Sequence, residues 1–99
     1  MIIMEISVVP IGTATPSVSS YVAKVQKALE KAGYTTHLHS MGTVLEAESL
    51  DKILEAIRIA HSEAFRAGAL RVLTSVKIDE RRDKEGSIKQ KLDSVKRQI

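Results

Sequence analysis

Two histidines and a glutamate are spaced so that a β-sheet would bring them to one face. His37 and His39 lie two residues apart, and Glu46 follows across a short turn. Residues two apart on a strand point to the same side, so both imidazoles could reach one metal ion. The sequence offers no third ligand of comparable specificity. We therefore interpret both histidines as polar surface residues and predict no metal site.

Glu46 is the carboxylate with the most specific chemistry. A charge in the middle of a strand needs a partner if it is covered, and a salt bridge to Arg71 or Lys77 would provide one. A carboxylate can also hold a ring nitrogen and the adjacent exocyclic amine of a heterocycle in a charge-assisted pair. The sequence leaves both interpretations of Glu46 open.

Several other chemistries lack the residues they need. The chain has no cysteine, which excludes disulfides, thiolate metal sites and cysteine nucleophiles. No Ser-His-Asp set or nucleophile elbow is recognisable. Residues 11–16 contain only Gly12, so a P-loop is absent, although free N–H groups at Ser17–Ser20 could attract an anion. Aromatic residues make up 3% of the chain, too few for base-stacking recognition of RNA.

Bulk composition predicts one folded domain. The 99 residues are 43% apolar and 27% charged, the balance of an ordinary globular protein. Glu5 interrupts the apolar N-terminal run, which indicates a strand and not a signal peptide. No apolar run approaches the roughly 20 residues of a membrane span, so we expect a cytoplasmic protein.

Residues 77–99 carry eight basic and five acidic residues, which accounts for the net charge of +3; we expect a solvated helix face there and not a nucleic-acid contact.

Hydrophobic periodicity predicts four strands and three helices. Strands are expected over 2–10, 34–39, 43–48 and 70–78, and helices between Ser17 and Gly33, between Ser49 and Gly68, and from Ser87 onward. The three serines are expected to cap the helices, and Ser87 with Gln90 matches a capping box. Right-handed crossovers would place the two main helices on one face of the sheet. The predicted fold is α+β: a ferredoxin-like βαββαβ sandwich with an additional C-terminal helix, in a single domain over 1–99.

Strand alternation also predicts which side chains face the two main helices. The expected inward set is Met4, Ile6, Val8, Leu38, Leu45, Val72, Val76 and Ile78, and the expected inner stripe of the second helix is Leu50, Ile53, Leu54, Ile57, His61 and Ala64. The opposite face mixes carboxylates, bases and hydroxyls with a few aliphatic residues. Solvent exposure would explain the polar ones, but the aliphatic ones favour burial between subunits. We therefore expect a homo-oligomer with polar pockets at its seam.

Three stretches of the chain, at 8–22, 41–53 and 67–83, carry a family resemblance. They read VVPIGTATPSVSSYV, MGTVLEAESLDKI and AGALRVLTSVKIDERRD. In this combination the chain resembles the small thiamine-binding proteins of archaea, bacteria and yeast over nearly its whole length. The resemblance implies a ferredoxin-like subunit that forms dimers or tetramers. It also implies a site for thiamine or its hydroxymethylpyrimidine part, without an established catalytic activity.

The residues and the resemblance together predict a ligand site. The expected ligand-binding residues are Glu46, Ser7, Met41, Thr43, Ser75 and Lys77. Glu46 would pair with the aminopyrimidine, the two serines would add hydrogen bonds, and Met41 would contact a ring. Because few aromatic residues are available to hold the thiazolium by cation–π contact, we expect the pyrimidine to be the part recognised.

Three functions follow as alternatives. The first is non-catalytic binding of thiamine or a related pyrimidine, as carrier, buffer or sensor. The second is an enzyme of thiamine-precursor metabolism that uses His39 or Glu46 as a base. The third is a structural or regulatory oligomer. Neither a cofactor nor a nucleic-acid or membrane partner is predicted.

Overall fold

The computed structural model describes all of residues 1–99. Its elements are β1 (Ile2–Pro10), α1 (Ser19–Lys31), β2 (Thr36–His39), β3 (Gly42–Ala47), α2 (Leu50–Arg66), β4 (Val72–Asp79) and α3 (Ile88–Lys96). The strands form one sheet in the order β2-β3-β1-β4, with every neighbouring pair antiparallel. This is the predicted α+β, ferredoxin-like βαββαβ arrangement, and the additional C-terminal helix is present.

The core lies between one face of the sheet and the helices α1 and α2. Met4 of β1, Leu45 of β3, Leu29 of α1 and Ile53 of α2 are fully buried there. Alternate residues of β1 are buried, as a strand with one covered face requires. The predicted phase of the central strands is therefore confirmed.

The predicted inner stripe of α2 is partly wrong. Its buried residues are Ile53, Ala56, Ala60 and Ala64, whereas two leucines of the predicted stripe, at positions 50 and 54, are about half exposed. Alanine adds little to a hydrophobic pattern, but its short side chain lets a helix axis lie close to a sheet. The larger leucines are displaced to the flank of the helix.

Two of the three predicted helix caps are confirmed. Ser49 Oγ accepts the N–H of Lys52 at 3.2 Å, and Ser87 Oγ accepts the N–H of Gln90 at 3.0 Å. The cap predicted at Ser17 is wrong, because α1 begins two residues later and has no side-chain cap. The capping box of α3 is half formed, since the Gln90 amide turns away to donate to a serine hydroxyl further along the helix.

The β4 edge of the sheet and the helix α3 remain thinly covered. Leu73, Val76 and Ile78 of the edge strand β4 are exposed. The helix α3 has no buried residue, and Leu92 and Val95 of its apolar stripe are more than half exposed. None of the three helices combines the length and apolar character of a membrane span.

Candidate ligand-binding site on the open sheet face

The face of the sheet turned away from α1 and α2 is called the open face here. It displays the alternate residues of each strand that the core leaves out, namely Ile3, Glu5, Ser7, Val9, His37, His39, Val44, Glu46, Leu73, Ser75 and Lys77. This is the mixed polar and aliphatic set that the alternation predicted.

A carboxylate and an imidazole interact near the centre of this face. Glu5 Oε2 lies 3.2 Å from Nε2 of His39, and the backbone N–H of Met41 donates to Nδ1 of the same ring at 3.2 Å. Because Nδ1 accepts a hydrogen bond, the ring proton belongs on Nε2, which lies in close contact with the Glu5 carboxylate. The imidazole keeps no free lone pair, whereas Oε1 of Glu5 accepts no hydrogen bond and is available to a ligand.

Two hydroxyls and an ammonium group lie beside Glu5, one hydroxyl on β1 itself and the other two groups on the neighbouring strand β4. Ser7 is opposite Ser75 across the β1–β4 pairing, and Glu5 is opposite Lys77. Directly opposite residues have Cβ atoms about 5 Å apart. Lys77 forms no ion pair in the structure and stays free for an anionic group. The sheet thus assembles an acceptor, two hydroxyls and a cation within the span of a small heterocycle.

A cleft adjoins this patch at the turn between β2 and β3. It has a volume of about 180 Å³ and extends between α1 and the sheet, because Val22 and Val25 of α1 line it together with Ser7, Met41 and Thr43. Thr43 is buried on the helix side, whereas Met41 is 80% exposed at the turn. A Cβ on Gly42 would lie 2.9 Å from the carbonyl oxygen of Ile6, so only glycine lets this turn approach β1. Three of the predicted site residues therefore line one cleft, although Thr43 and Ser7 lie on opposite faces of the sheet.

Glu46 lies at the other end of the open face. It pairs with Ile3, four residues along β1 from Ser7, which corresponds to about 13 Å along the strand. Its Oε2 accepts the N–H of Ile88, the first residue of α3, at 2.8 Å. That N–H has no partner within the helix, so Glu46 anchors the start of α3.

The structure therefore does not bring Glu46 together with the other predicted residues. The salt bridge to Arg71 or Lys77 that the sequence suggested is absent. A groove of about 390 Å³ lies beside Glu46, and His37 and Tyr34 are among its lining residues. The Oε1 atom accepts no hydrogen bond, so a ligand role for Glu46 stays a prediction.

The other titratable groups singled out in the sequence have local partners. His61 Nδ1 lies 2.7 Å from the hydroxyl of Thr74, and its ring packs edge-on against Phe65 with centroids 5.4 Å apart. In the charged loop after β4, Arg81 hydrogen-bonds Asp83, which lowers the pKa of that carboxyl to about 2. No group of three histidine, aspartate or glutamate side chains converges as a metal site would require.

The pairing of Glu5 with His39 was not predicted from the sequence. A glutamate inside an apolar run, two residues before Ser7, was the available signal. The two residues lie on β1 and β2, which are separated by β3, so only the registers of both strand pairings show that their side chains come together.

Comparison with known proteins shows the family to which the chain belongs. The family model described as "Thiamine-binding protein" matches residues 4–96. The chain belongs to the thiamine-binding protein family. A UPF0045 protein of Methanothermobacter thermautotrophicus is 46% identical over 99 residues, covering 100% of both chains.

Solved structures share the fold. The crystal structure of the hypothetical protein MJ1052 from Methanocaldococcus jannaschii matches with a TM-score of 0.87 at 41% identity, over 96% of this chain and 95% of that one. The structure of TM0486 from Thermotoga maritima, a protein named for thiamine biosynthesis/salvage, matches with a TM-score of 0.77. That match is 16% identical over 95% of this chain and 97% of that one, and it shows a common fold only.

Proposed function

We propose that the protein binds thiamine or its hydroxymethylpyrimidine moiety without catalysis, in a pocket at a subunit seam, as a cytoplasmic carrier, buffer or sensor. The observation that carries the ligand class is membership of the thiamine-binding protein family over residues 4–96. The open-face patch around Glu5 supplies the chemistry that such a ligand needs.

The 4-aminopyrimidine ring presents a basic nitrogen beside an exocyclic amine. Glu5 Oε1 accepts from the amine, and Ser7 and Ser75 hydrogen-bond the remaining ring edge. Hydrogen bonds to a charged group contribute about 1.5–3 kcal/mol each, which makes the carboxylate the dominant contact. Nε2 of His39 lies 3.2 Å from Oε2 and keeps the carboxylate oriented toward the ring.

The cleft at the β2–β3 turn receives the substituents of the ring. Met41 supplies a flexible apolar contact, and Thr43 closes the inner end of the cleft. Lys77, which has no ion pair, meets the charged end of a phosphorylated ligand. Glu46 is the alternative carboxylate anchor, because a groove lies beside it and one of its oxygens is free.

A second copy of the chain completes the pocket. The edge strand β4 has unpaired backbone groups on its outer side and exposes Leu73, Val76 and Ile78. An antiparallel pairing of β4 with its counterpart about a two-fold axis would satisfy the backbone groups and cover the aliphatic side chains. The same two-fold rotation brings the open faces of the two subunits side by side, and a further pairing of dimers gives a tetramer.

The geometry around His39 does not favour an enzyme. A general base needs a free lone pair within reach of a substrate proton, and Nδ1 of His39, the ring nitrogen that carries the lone pair, already accepts the N–H of Met41. Saturable binding without product is the expected behaviour.

The test is calorimetric titration of the full chain with thiamine, with hydroxymethylpyrimidine and with the thiazole alcohol. We expect thiamine and hydroxymethylpyrimidine to bind with similar affinity and the thiazole alcohol not to bind. Chromatography of the mixture after incubation should recover each compound unchanged. Binding of the thiazole alone, or conversion of the pyrimidine, would contradict the proposal.

A further inference from the structure

A groove lined by basic side chains runs between α1 and α2 on the outer side of the helix layer. It has a volume of about 670 Å³, and its cationic walls consist of Lys24, Lys27, Lys31, Arg58 and Arg66. Summed along the sequence, residues 1–76 are electrically neutral. The fold therefore concentrates positive charge in one groove, although the net charge of this part of the sequence is zero.

The basic residues form two facing rows. Lys24, Lys27 and Lys31 are three and four residues apart, which places them on one face of α1 over about 10 Å. Arg58 and Arg66 lie about two turns apart on α2, over about 12 Å. The two helices are antiparallel, because α1 connects the parallel strands β1 and β2 and α2 connects strands of the opposite direction. The rows thus run side by side along the groove.

Most of this charge has no partner within the protein. The one acidic residue of the groove, Glu63, lies 3.5 Å from Arg66. Lys24, Lys27 and Arg58 form no ion pair within 4.0 Å, and none of the three lies in the last turn of its helix, where the helix dipole would stabilise a cation. Like charges on one helix face are destabilising. A bound anion would relieve that repulsion.

We propose that this groove binds a linear phosphate-chain anion, of three or more phosphates joined as phosphoric anhydrides. A rod of regularly spaced negative charge matches two parallel rows of cations in length and direction. The guanidinium of Arg58 suits the paired oxygens of a phosphate, and the lysines add point charges. Nucleic-acid strands are disfavoured because the groove has no aromatic residue for stacking.

The proposal does not depend on thiamine binding. The groove lies on the helix side of the molecule, and the patch around Glu5 lies on the opposite side of the sheet. A seam formed by β4 leaves the groove uncovered. Failure of either proposal leaves the other standing.

The test compares two double variants that remove the same charge. Lys27→Gln with Arg58→Gln removes two positive charges from the middle of the groove. Lys84→Gln with Lys96→Gln removes two positive charges from exposed positions elsewhere. All four side chains are exposed, so both variants should fold. Sodium tripolyphosphate and ATP are titrated separately into each full-length protein by calorimetry, at low and at raised ionic strength.

We expect the groove variant to raise the Kd for tripolyphosphate at least about 10-fold, and the control variant to change it less than about 2-fold. Binding should weaken as salt is added. Equal affinities for ATP and tripolyphosphate would show that the phosphate chain alone is recognised, and tighter ATP would show that the nucleoside also contacts the apolar lining residues Ala28, Ala32 and Ile59. Absence of binding by both compounds, or an equal loss in the two variants, would overturn the proposal.

Discussion

The two faces of the sheet are built from alternate residues of the same strands, and they have opposite characters. On the covered face, Met4 and Leu45 are fully buried beneath the helices. On the open face, their neighbours Glu5 and Val44 are half-buried and pair directly across β1 and β3. One strand thus contributes to the core with one residue and, in the proposed site, to recognition with the next.

The comparison shows how a chain of 99 residues carries both tasks. The covered face is dry and aliphatic, and its packing requires only shape and volume. The open face holds a carboxylate, an imidazole and two hydroxyls in a fixed geometry, at the cost of leaving aliphatic residues such as Leu73 exposed. In the proposed assembly, a second subunit would cover these exposed residues.

Adjacent residues in β3 provide the largest contrast. Leu45→Ala removes a fully buried side chain, and we expect a loss of about 2–5 kcal/mol in the free energy of unfolding. Val44→Ala, on the open face, should cost about 1 kcal/mol or less. Denaturant unfolding at one fixed protein concentration measures both. Equal losses would mean that the two faces are equally packed.

The edge of the open face should control assembly. Leu73→Lys places a charge in the proposed β4 seam, and we expect self-association to weaken at least about 10-fold, since an unpaired charge would have to be desolvated in the interface. Leu70→Lys, at a position 94% exposed just before the strand, is the matched control and should leave assembly unchanged. Analytical ultracentrifugation over a concentration series separates them. An unaltered assembly of the Leu73 variant would exclude β4 from the seam.

Tyr34 gives a smaller, pH-dependent effect on the covered side of the molecule. Desolvation, together with a 2.8 Å hydrogen bond to Glu55, raises the pKa of Tyr34 to about 12 from 10.0. The folded state therefore holds the phenol protonated more strongly than the unfolded chain does. Its stabilising contribution is complete below pH 10 and is lost as the pH rises from 10 toward 12.

Chemical denaturation across that pH range provides the measurement. The native protein should lose stability more steeply than the Tyr34→Phe variant, which has no phenol to titrate. If the free energy of unfolding falls equally with pH in the two proteins, the Tyr34 side chain does not determine the loss of stability at alkaline pH.

The fold was predictable because each of its determinants is local. Alternation in β1, the glycines that end α1 and α2, and the caps at Ser49 and Ser87 are all visible within a few residues. The prediction of the residues that α2 buries was wrong at Ala56 and Ala60, which pack against the sheet. Their short side chains let the helix lie close to the sheet, and that distance depends on the tertiary structure and not on the local sequence.

The candidate site was predictable only as a set of residue types, most of them on one face, since Thr43 lies on the helix side. Ser7, Ser75 and Lys77 lie together because their strands are neighbours, as the topology implied. Glu46 lies apart because the β1–β3 register places it opposite Ile3, and its carboxylate accepts the N–H of Ile88, 42 residues along the chain. Neither that contact nor the pairing of Glu5 with His39 has a local signature in the sequence.

The central claim is that Glu5 anchors an aminopyrimidine, and two matched substitutions test it most directly. Hydroxymethylpyrimidine is titrated calorimetrically into the native protein, Glu5→Gln and Glu46→Gln. We predict that Glu5→Gln weakens binding about 10- to 100-fold, as expected for loss of a charged acceptor, and that Glu46→Gln binds like the native protein. Native affinity in Glu5→Gln would contradict the account, and a loss confined to Glu46→Gln would move the ligand to the opposite end of the open face.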